Sequence, residues 1–367
     1  MTVRLLLSLA ALFTCSSAFA APLPAWALGP FTRPAEAQPV IRPEKATTFP
    51  CPLRQEAVPW EFYHTFNPAA VLKDGKIQVL YRAEDNSGPM QIGGHTSRIG
   101  LGVSEDGLAF QRQAAPVLFP ADDSQKAAEW DGGCEDPRIA TAPDGTYVLT
   151  YTQYNKKNVR LGLATSKDLK SWEKHGSAFT GTKYENLGTK SASILHEVKD
   201  GKLVATQIDG KYWMYFGEQQ VNAATSTDLI HWTPLETADG KLLAIMNTRE
   251  GRFDSALTEV GPPLIKTDKG IVLIYNGKNG TDDKRDKDLS PAVYTCGQAL
   301  FDLKDPTRLI ERLDTTFFKP ELPWEKSGQY VAGTTFAEGL LFRNGEWILY
   351  YGCADTFVGM AKAPAAQ

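Results

Sequence analysis

The apolar positions of this chain fall in short runs between turn residues, and from about residue 51 the runs repeat. A Gly-containing turn leads into an apolar, aromatic run that ends in Tyr. The copies begin at Asp74-Gly75, Asp144-Gly145, Asp209-Gly210, Lys269-Gly270 and Asn344-Gly345, and they end at Tyr81, Tyr151, Tyr215, Tyr275 and Tyr350. Their glycines lie 60 to 75 residues apart. Asp-Gly and Asn-Gly supply the positive φ of a tight hairpin turn. The Val, Ile, Leu, Tyr and Trp of the runs suit strands buried between packed sheets. A second strand, of small residues, recurs at residues 98–106, 159–168 and 221–228, each followed by an aromatic: Phe110, Trp172 and Trp232. Residues 296–302 vary the same theme. The small residues are expected to admit close backbone approach near a crowded axis.

A unit of four short strands cannot bury both its faces alone. Radial packing of repeats solves this and limits exposed edges. Five ordered copies therefore predict an all-β, five-bladed β-propeller over residues 51–367, in preference to a β-sandwich with similar hairpins. No long amphipathic helix is apparent. Residues 21–50 are rich in Pro and Ala and read as an extended arm or linker rather than a packed element.

Composition narrows the partners. The chain is 42% hydrophobic and 22% charged with a net charge of −4, which argues against nucleic acid or an anionic membrane surface. Arg4, an apolar run to Phe13 and Ala18-Phe19-Ala20 form a signal-peptide pattern over residues 1–20, predicting export to the periplasm or medium. No later stretch is long enough to span a membrane. Export would remove Cys15 and leave Cys51, Cys134, Cys296 and Cys353, for which disulfides are permitted in three pairings. The five histidines are scattered without metal-ligand spacing, so neither a metal nor another cofactor is expected. Oligomeric state is open.

Propellers bind ligands at the axis, on loops at one end. The densest polar group near such a loop is residues 130–139, with Glu135, Asp136, Pro137 and Arg138. Pro137 is expected to hold Asp136 extended. Arg138 can orient a carboxylate or a sugar hydroxyl. Glu84 and Asp85, Glu218, Glu259 and Asp355 stand at matching ends of other blades. Acids converging on one axis suit glycoside cleavage: one protonates the leaving oxygen and a second activates water. Trp60, Tyr63, Trp130 and Tyr154 are candidates for stacking on sugar faces, or for packing between blades.

The motifs containing Phe66-Asn67-Pro68, Tyr81-Arg82, Glu84-Asp85, Glu135-Asp136-Pro137-Arg138, Gly261-Pro262-Pro263, Asp302 to Pro306 and Tyr350 to Asp355 resemble, as an ordered set across residues 60–360, glycoside hydrolase family 130. That resemblance implies a five-bladed propeller acting on β-mannosides with inversion, as a mannoside phosphorylase or a β-mannosidase. By motif, Asp136 resembles the general acid. Asn67, Arg82, Asp85 and Asp355 resemble positions that hold mannose, and Arg138 supports the loop. Phosphorylases of the family cradle phosphate with clustered Arg, Lys and His. Here Lys190 stands without a paired Arg, while Glu218 and Glu259 resemble the hydrolytic members and are candidate bases. The favoured expectation is an exported inverting β-mannosidase acting on a β-mannoside oligosaccharide or glycan. The alternatives are a phosphorylase releasing mannose 1-phosphate, another propeller glycosidase such as an arabinan-cleaving enzyme, and a non-catalytic glycan-binding propeller.

Overall fold

The computed structural model describes residues 22–365; the signal-peptide expectation for residues 1–20 lies outside them. The chain folds as a five-bladed β-propeller. Blade one is built from His64–Lys73, Lys76–Glu84, Ser97–Ser104 and Gln111–Arg112, paired antiparallel in sequence order. Blade two repeats this with Gly133–Thr141, Tyr147–Tyr154, Val159–Ser166 and Glu173–Ser177. Blades three, four and five begin at Ala192–Lys199, Leu257–Val260 and Thr335–Arg343. In the first, third and fifth copies both turn residues have the expected positive φ, as in Asp74 and Gly75 at 51° and 73° and Asn344 and Gly345 at 54° and 78°, whereas in the second and fourth only Gly145 and Gly270 do. Among the described residues the one α-helix is Lys126–Glu129, and no helix is long and apolar enough to cross a membrane.

The apolar core is divided into five clusters, and each draws its main residues from two neighbouring blades. That is how a thin four-stranded sheet hides both faces from water. The small-residue strands do not approach the axis, contrary to expectation. They are third strands, and their glycines lie under tyrosine rings of the second strand. A Cβ on Gly100, Gly297 or Gly359 would come within 2.4–2.5 Å of Tyr81, Tyr275 or Tyr351. The fifth tyrosine of the repeat is therefore Tyr351 rather than Tyr350, since Tyr351 is the one paired with Gly359.

These tyrosines anchor a repeated polar device. Tyr81, Tyr151, Tyr275 and Tyr351 donate to Glu61 (2.5 Å), Glu129 (2.8 Å), Asp254 (2.7 Å) and Glu325 (2.8 Å). Each acid is paired with a cation: Arg112, Lys174, Arg312 and Arg33 respectively. Arg112, Lys174 and Arg312 come from outer strands of their blades. Arg33 comes from the N-terminal segment, which bridges the last strand at Thr32↔Lys362 and Ile41↔Val358. Residues 22–50 thus pack, against the linker reading: Trp26, Phe31 and Ile41 are buried. The segment takes the outer-strand place of blade five and joins the two ends of the ring. Cys51, Cys134, Cys296 and Cys353 are buried, free thiols, so none of the permitted disulfides is formed.

Candidate active site

The inner strands of three blades carry a β-bulge at one polar residue. The register slips between Phe66 and Pro68, between Glu135 and Arg138, and between Ala337 and Gly339. The side chains at these slips are Asn67, Asp136 and Glu338. A bulge kinks a strand and re-aims a side chain. Asn67 and Asp136 both have φ of 47°. Asp136 is therefore left-handed rather than extended: the bulge overrides the bias set by Pro137. Ser191, just ahead of the inner strand of blade three, also has positive φ, 61°.

These positions meet at the axis. The Asn67 amide donates to Asp136 Oδ1 at 2.8 Å. Arg82 reaches the same oxygen at 3.1 Å through Nη1, and through Nη2 it binds Glu84 at 2.6 Å and Glu135 at 2.9 Å. Lys190 Nζ lies 4.0 Å from Asp136, 3.6 Å from Glu218 and 3.6 Å from Glu259. Ser191 donates to Glu259. Arg138 holds the backbone carbonyls of Val260 and Gly261 at 2.8 and 3.0 Å and pairs with Glu338 at 3.0 Å. It ties blades two, four and five together, a supporting role rather than a sugar contact.

Charge at this end is lopsided. Glu84, Glu135, Asp136, Glu218, Glu259, Glu338 and Asp355 outnumber Arg82, Arg138 and Lys190, the cations paired with them. Burial raises the proton affinity of a carboxylate, and neighbouring cations counter it unequally from one acid to the next. Burial pushes Asp355 to about 7 although Arg82 pulls it back. Burial likewise drives Glu338, Glu259 and Glu135 upward, against Arg138, Lys190 and Arg82 respectively. Asp136 goes the other way. Burial opposes its charge, but Arg82, Lys190 and the Asn67 amide together hold it below the ordinary aspartate range. The proton of the adjacent Glu135–Asp136 pair therefore rests on Glu135.

Of the residues singled out by sequence, Asp136, Asn67, Arg82, Arg138, Lys190, Glu218 and Glu259 come together in one connected network, and Asp355 lies close enough to feel Asp136 and Arg82. Asp85 does not join them. Its carboxylate is consumed by Arg98 at 2.8 Å and by the backbone N–H groups of Ser87 and Thr96. It fixes a loop, so it is not free to hold mannose. Trp60 is fully buried against Tyr81 and gives its N–H to Ala114, which makes it packing. Tyr63, Trp130 and Tyr154 remain partly accessible. Sequence reasoning missed Glu338 and Ser191. The one signal for Glu338 was its place in the fifth copy, within one residue of the place that Asn67 holds ahead of the turn in the first. A surface cavity of about 720 Å³ between Ala127, Asn155, Arg160 and Asn186 carries no acidic side chain and is separate from this chemistry.

Comparison with known proteins agrees with the motif resemblance. The profile of glycoside hydrolase family 130, described as beta-1,4-mannooligosaccharide phosphorylase, matches residues 31–367. The 1,2-beta-oligomannan phosphorylase of Thermoanaerobacter sp. strain X514 is 34% identical over 307 residues, 82% of this chain and 90% of that one. A solved structure, described with the statement that the GH130 family of mannoside phosphorylases contains glycoside hydrolases that target β-1,2-mannosidic linkages in Candida mannan, is 55% identical. It covers 94% of this chain and 98% of its own, with a TM-score of 0.92. A glycosyl hydrolase structure from Bacteroides ovatus is also 55% identical, with a TM-score of 0.91 over 93% of this chain and 95% of that one. The curated relatives are named phosphorylases, so by name they favour the phosphorylase alternative over hydrolysis. With its profile matched over nearly the whole described chain and its axial acids in place, this protein belongs to glycoside hydrolase family 130.

Proposed function

We propose that this protein cleaves β-mannosides, β-1,2-linked ones foremost, and passes the mannosyl group to water with inversion. The observation that carries the choice of water is the surrounding of Lys190. Its ammonium is faced by Glu218 and Glu259 at 3.6 Å each and by Asp136 at 4.0 Å. A phosphate dianion would have to displace or neutralise these carboxylates, which repel it at short range. A water molecule in the same place meets an acceptor that can take its proton. Glu259 is buried, fixed by Ser191, and raised in proton affinity, which suits a general base. Glu218 is about a third exposed and completes the cradle of Lys190.

The acid is the Asp136 side of the coupled Glu135–Asp136 pair. Both carboxylates touch Arg82, so one proton serves the pair as a unit. Asn67 and Arg82 fix the Asp136 carboxylate through its Oδ1. The signal-like sequence at residues 1–20 supports an activity outside the cytoplasm, where a free sugar product is retrieved by uptake.

Phosphorolysis is the second reading, favoured by the names of the curated relatives. Incubation with β-1,2-mannobiose, with and without inorganic phosphate, separates the two. Free mannose at equal rates in both supports hydrolysis. Mannose 1-phosphate formed only with phosphate replaces it with phosphorolysis. Release of α-mannose, read by proton NMR during the first turnovers, tests inversion.

A further inference from the structure

Beside Arg82, on the side of Glu84 away from Asp136, three lone pairs converge on one small buried space. His64 stands opposite Glu84 in the strand pairing, and His95 lies on the segment leading into the next strand. One donor atom each of His64, His95 and Glu84 lies within 4.8 Å of the other two, and His64 Nε2 is 4.0 Å from Glu84 Oε2. The residues are 7%, 1% and 0% exposed.

The outer nitrogens decide the tautomers. His95 Nδ1 sits 2.6 Å from the Ser87 carbonyl, which only accepts, so Nδ1 carries the proton. His64 Nδ1 lies 3.1 Å from the Thr356 hydroxyl, and with that hydroxyl turned to the Ala354 carbonyl, 3.2 Å away, Nδ1 is the donor. Each Nε2 is then left with a bare lone pair, and neither has a hydrogen-bond partner. Glu84 contributes a third acceptor. Its Oε1 is taken by Arg82, and its Oε2 meets only the Gln329 amide, at a long 3.4 Å. Buried acceptors without donors are costly unless something positive sits between them.

We propose that His64, His95 and Glu84 bind a divalent first-row transition-metal cation, zinc foremost. Two neutral imidazoles and one carboxylate are the donor set such ions prefer, with a position left open. The imidazoles already have the supporting bonds that metal-bound histidines show, each donating its other N–H to an oxygen. Glu84 is supported by Arg82 in the same way. Tetrahedral ligands at ~2.0–2.1 Å from zinc stand roughly 3.4 Å apart, so side-chain movements of about 1 Å close the present cluster onto the ion. The cation would also offset part of the acid excess at this end of the axis. Through Glu84 it would fix Arg82, which holds Asp136. No spacing motif marks the cluster in the chain, because its three ligands are joined by strand register. A single water, with two hydrogens for three acceptors, is the competing occupant.

The full-length protein, prepared without a histidine tag, is dialysed after incubation with zinc or cobalt(II), and its metal is measured by elemental analysis. One equivalent per chain is expected in the wild type, reduced to background in His64→Gln and in His95→Gln. Zinc should raise the melting temperature of the wild type by several degrees and leave both variants unmoved. Bound cobalt(II) should show the intense visible bands of a low-coordinate site, absent from the variants. In chelator the variants should melt close to the wild type, and if one fails to fold the other decides. Sub-stoichiometric metal in the wild type, or equal metal content and equal zinc shifts in wild type and variants, overturns the proposal.

Discussion

Asp136 sits in a left-handed backbone position, 3% exposed, with Asn67 and Arg82 on one oxygen and Lys190 facing the other. An amide of the same shape would keep the packing but could neither carry the charge that Arg82 and Lys190 hold nor pass on the proton shared with Glu135. The neighbouring cations would not be stranded, because Glu84 and Glu135 stay on Arg82 and Glu218 and Glu259 stay on Lys190. Asp136→Asn is expected to lower kcat by roughly 10²–10⁴-fold, the range removed with a general acid, and to lower thermal stability above about pH 4, where the Asp136 charge contributes to it. Activity near the wild-type level on a substrate with a poor leaving group would end its assignment as the acid. On the acceptor side, Glu259→Gln should slow turnover far more than Glu218→Gln, since Glu259 is buried, fixed by Ser191 and raised in proton affinity by its burial. The reverse order in kcat would transfer the base role to Glu218. Rescue of Glu259→Gln by azide, giving a mannosyl azide of inverted configuration, would show that the lost group acted on the nucleophile.

Turn residues and the apolar runs between them made the second strand of every blade legible in the sequence alone, because Asp-Gly turns and buried Tyr mark it directly. The bulges left weaker marks. Asp136 was found through its Pro-Arg neighbours, but Glu338 was not, since a one-residue register slip changes no residue type. Asp85 was misassigned because its partner, Arg98, lies on the next strand and only strand register brings them together. The N-terminal segment looked like a linker because Pro-rich extended chain and an outer propeller strand share one composition. What distinguishes them is Arg33. Its guanidinium binds Glu325 at 2.6 and 3.0 Å, takes the Lys319 carbonyl at 2.8 Å and lies 4.1 Å from the centre of the Phe318 ring. Glu325 is fully buried, so Arg33→Ala strands a carboxylate in the core and unfastens the ring closure. A loss of about 3–5 kcal/mol is expected in urea unfolding. Charge neutralisation in Arg33→Met/Glu325→Gln should recover much of it. Equal stability of Arg33→Ala and wild type would mean that the segment does not close the ring.

At the scale of the whole molecule, acid excess along the axis and between blades makes stability depend on pH in an unusual direction. Burial pushes Asp355 to about 7, against the pull of Arg82. Burial also pushes Glu61 to about 7, despite its bonds from Tyr81 and Arg112. Glu135, Glu259 and Glu338 move the same way. In the unfolded chain all five would ionise near pH 4. The folded state therefore holds more protons than the unfolded one between about pH 4 and 7, and stability falls as pH rises through that interval and a little beyond. Two buried imidazoles oppose this. Burial lowers His64 and His196 to about 4, so they favour folding increasingly as pH rises toward 6.5. Above about pH 6.5 they are mostly neutral even in the unfolded chain, so their opposing contribution fades and the carboxyls set the sign of the slope. Asp136, held low, contributes stability that is full above about pH 4 and is lost only below it. The melting temperature in chelator should accordingly fall between about pH 6.5 and 8.5 at constant ionic strength. Each raised acid accounts for up to ~1.4 kcal/mol per pH unit while it is titrating. Asp355→Asn should flatten the fall, since its amide has no proton to lose. A melting temperature that stays level or climbs over this range would mean that Arg82, Arg138 and Lys190 keep the surrounding acids ionised. The Glu135–Asp136 pair would then hold no proton for a leaving oxygen at neutral pH. The same melting curve thus tests whether the ring that buries these acids also stores the proton that glycoside cleavage consumes.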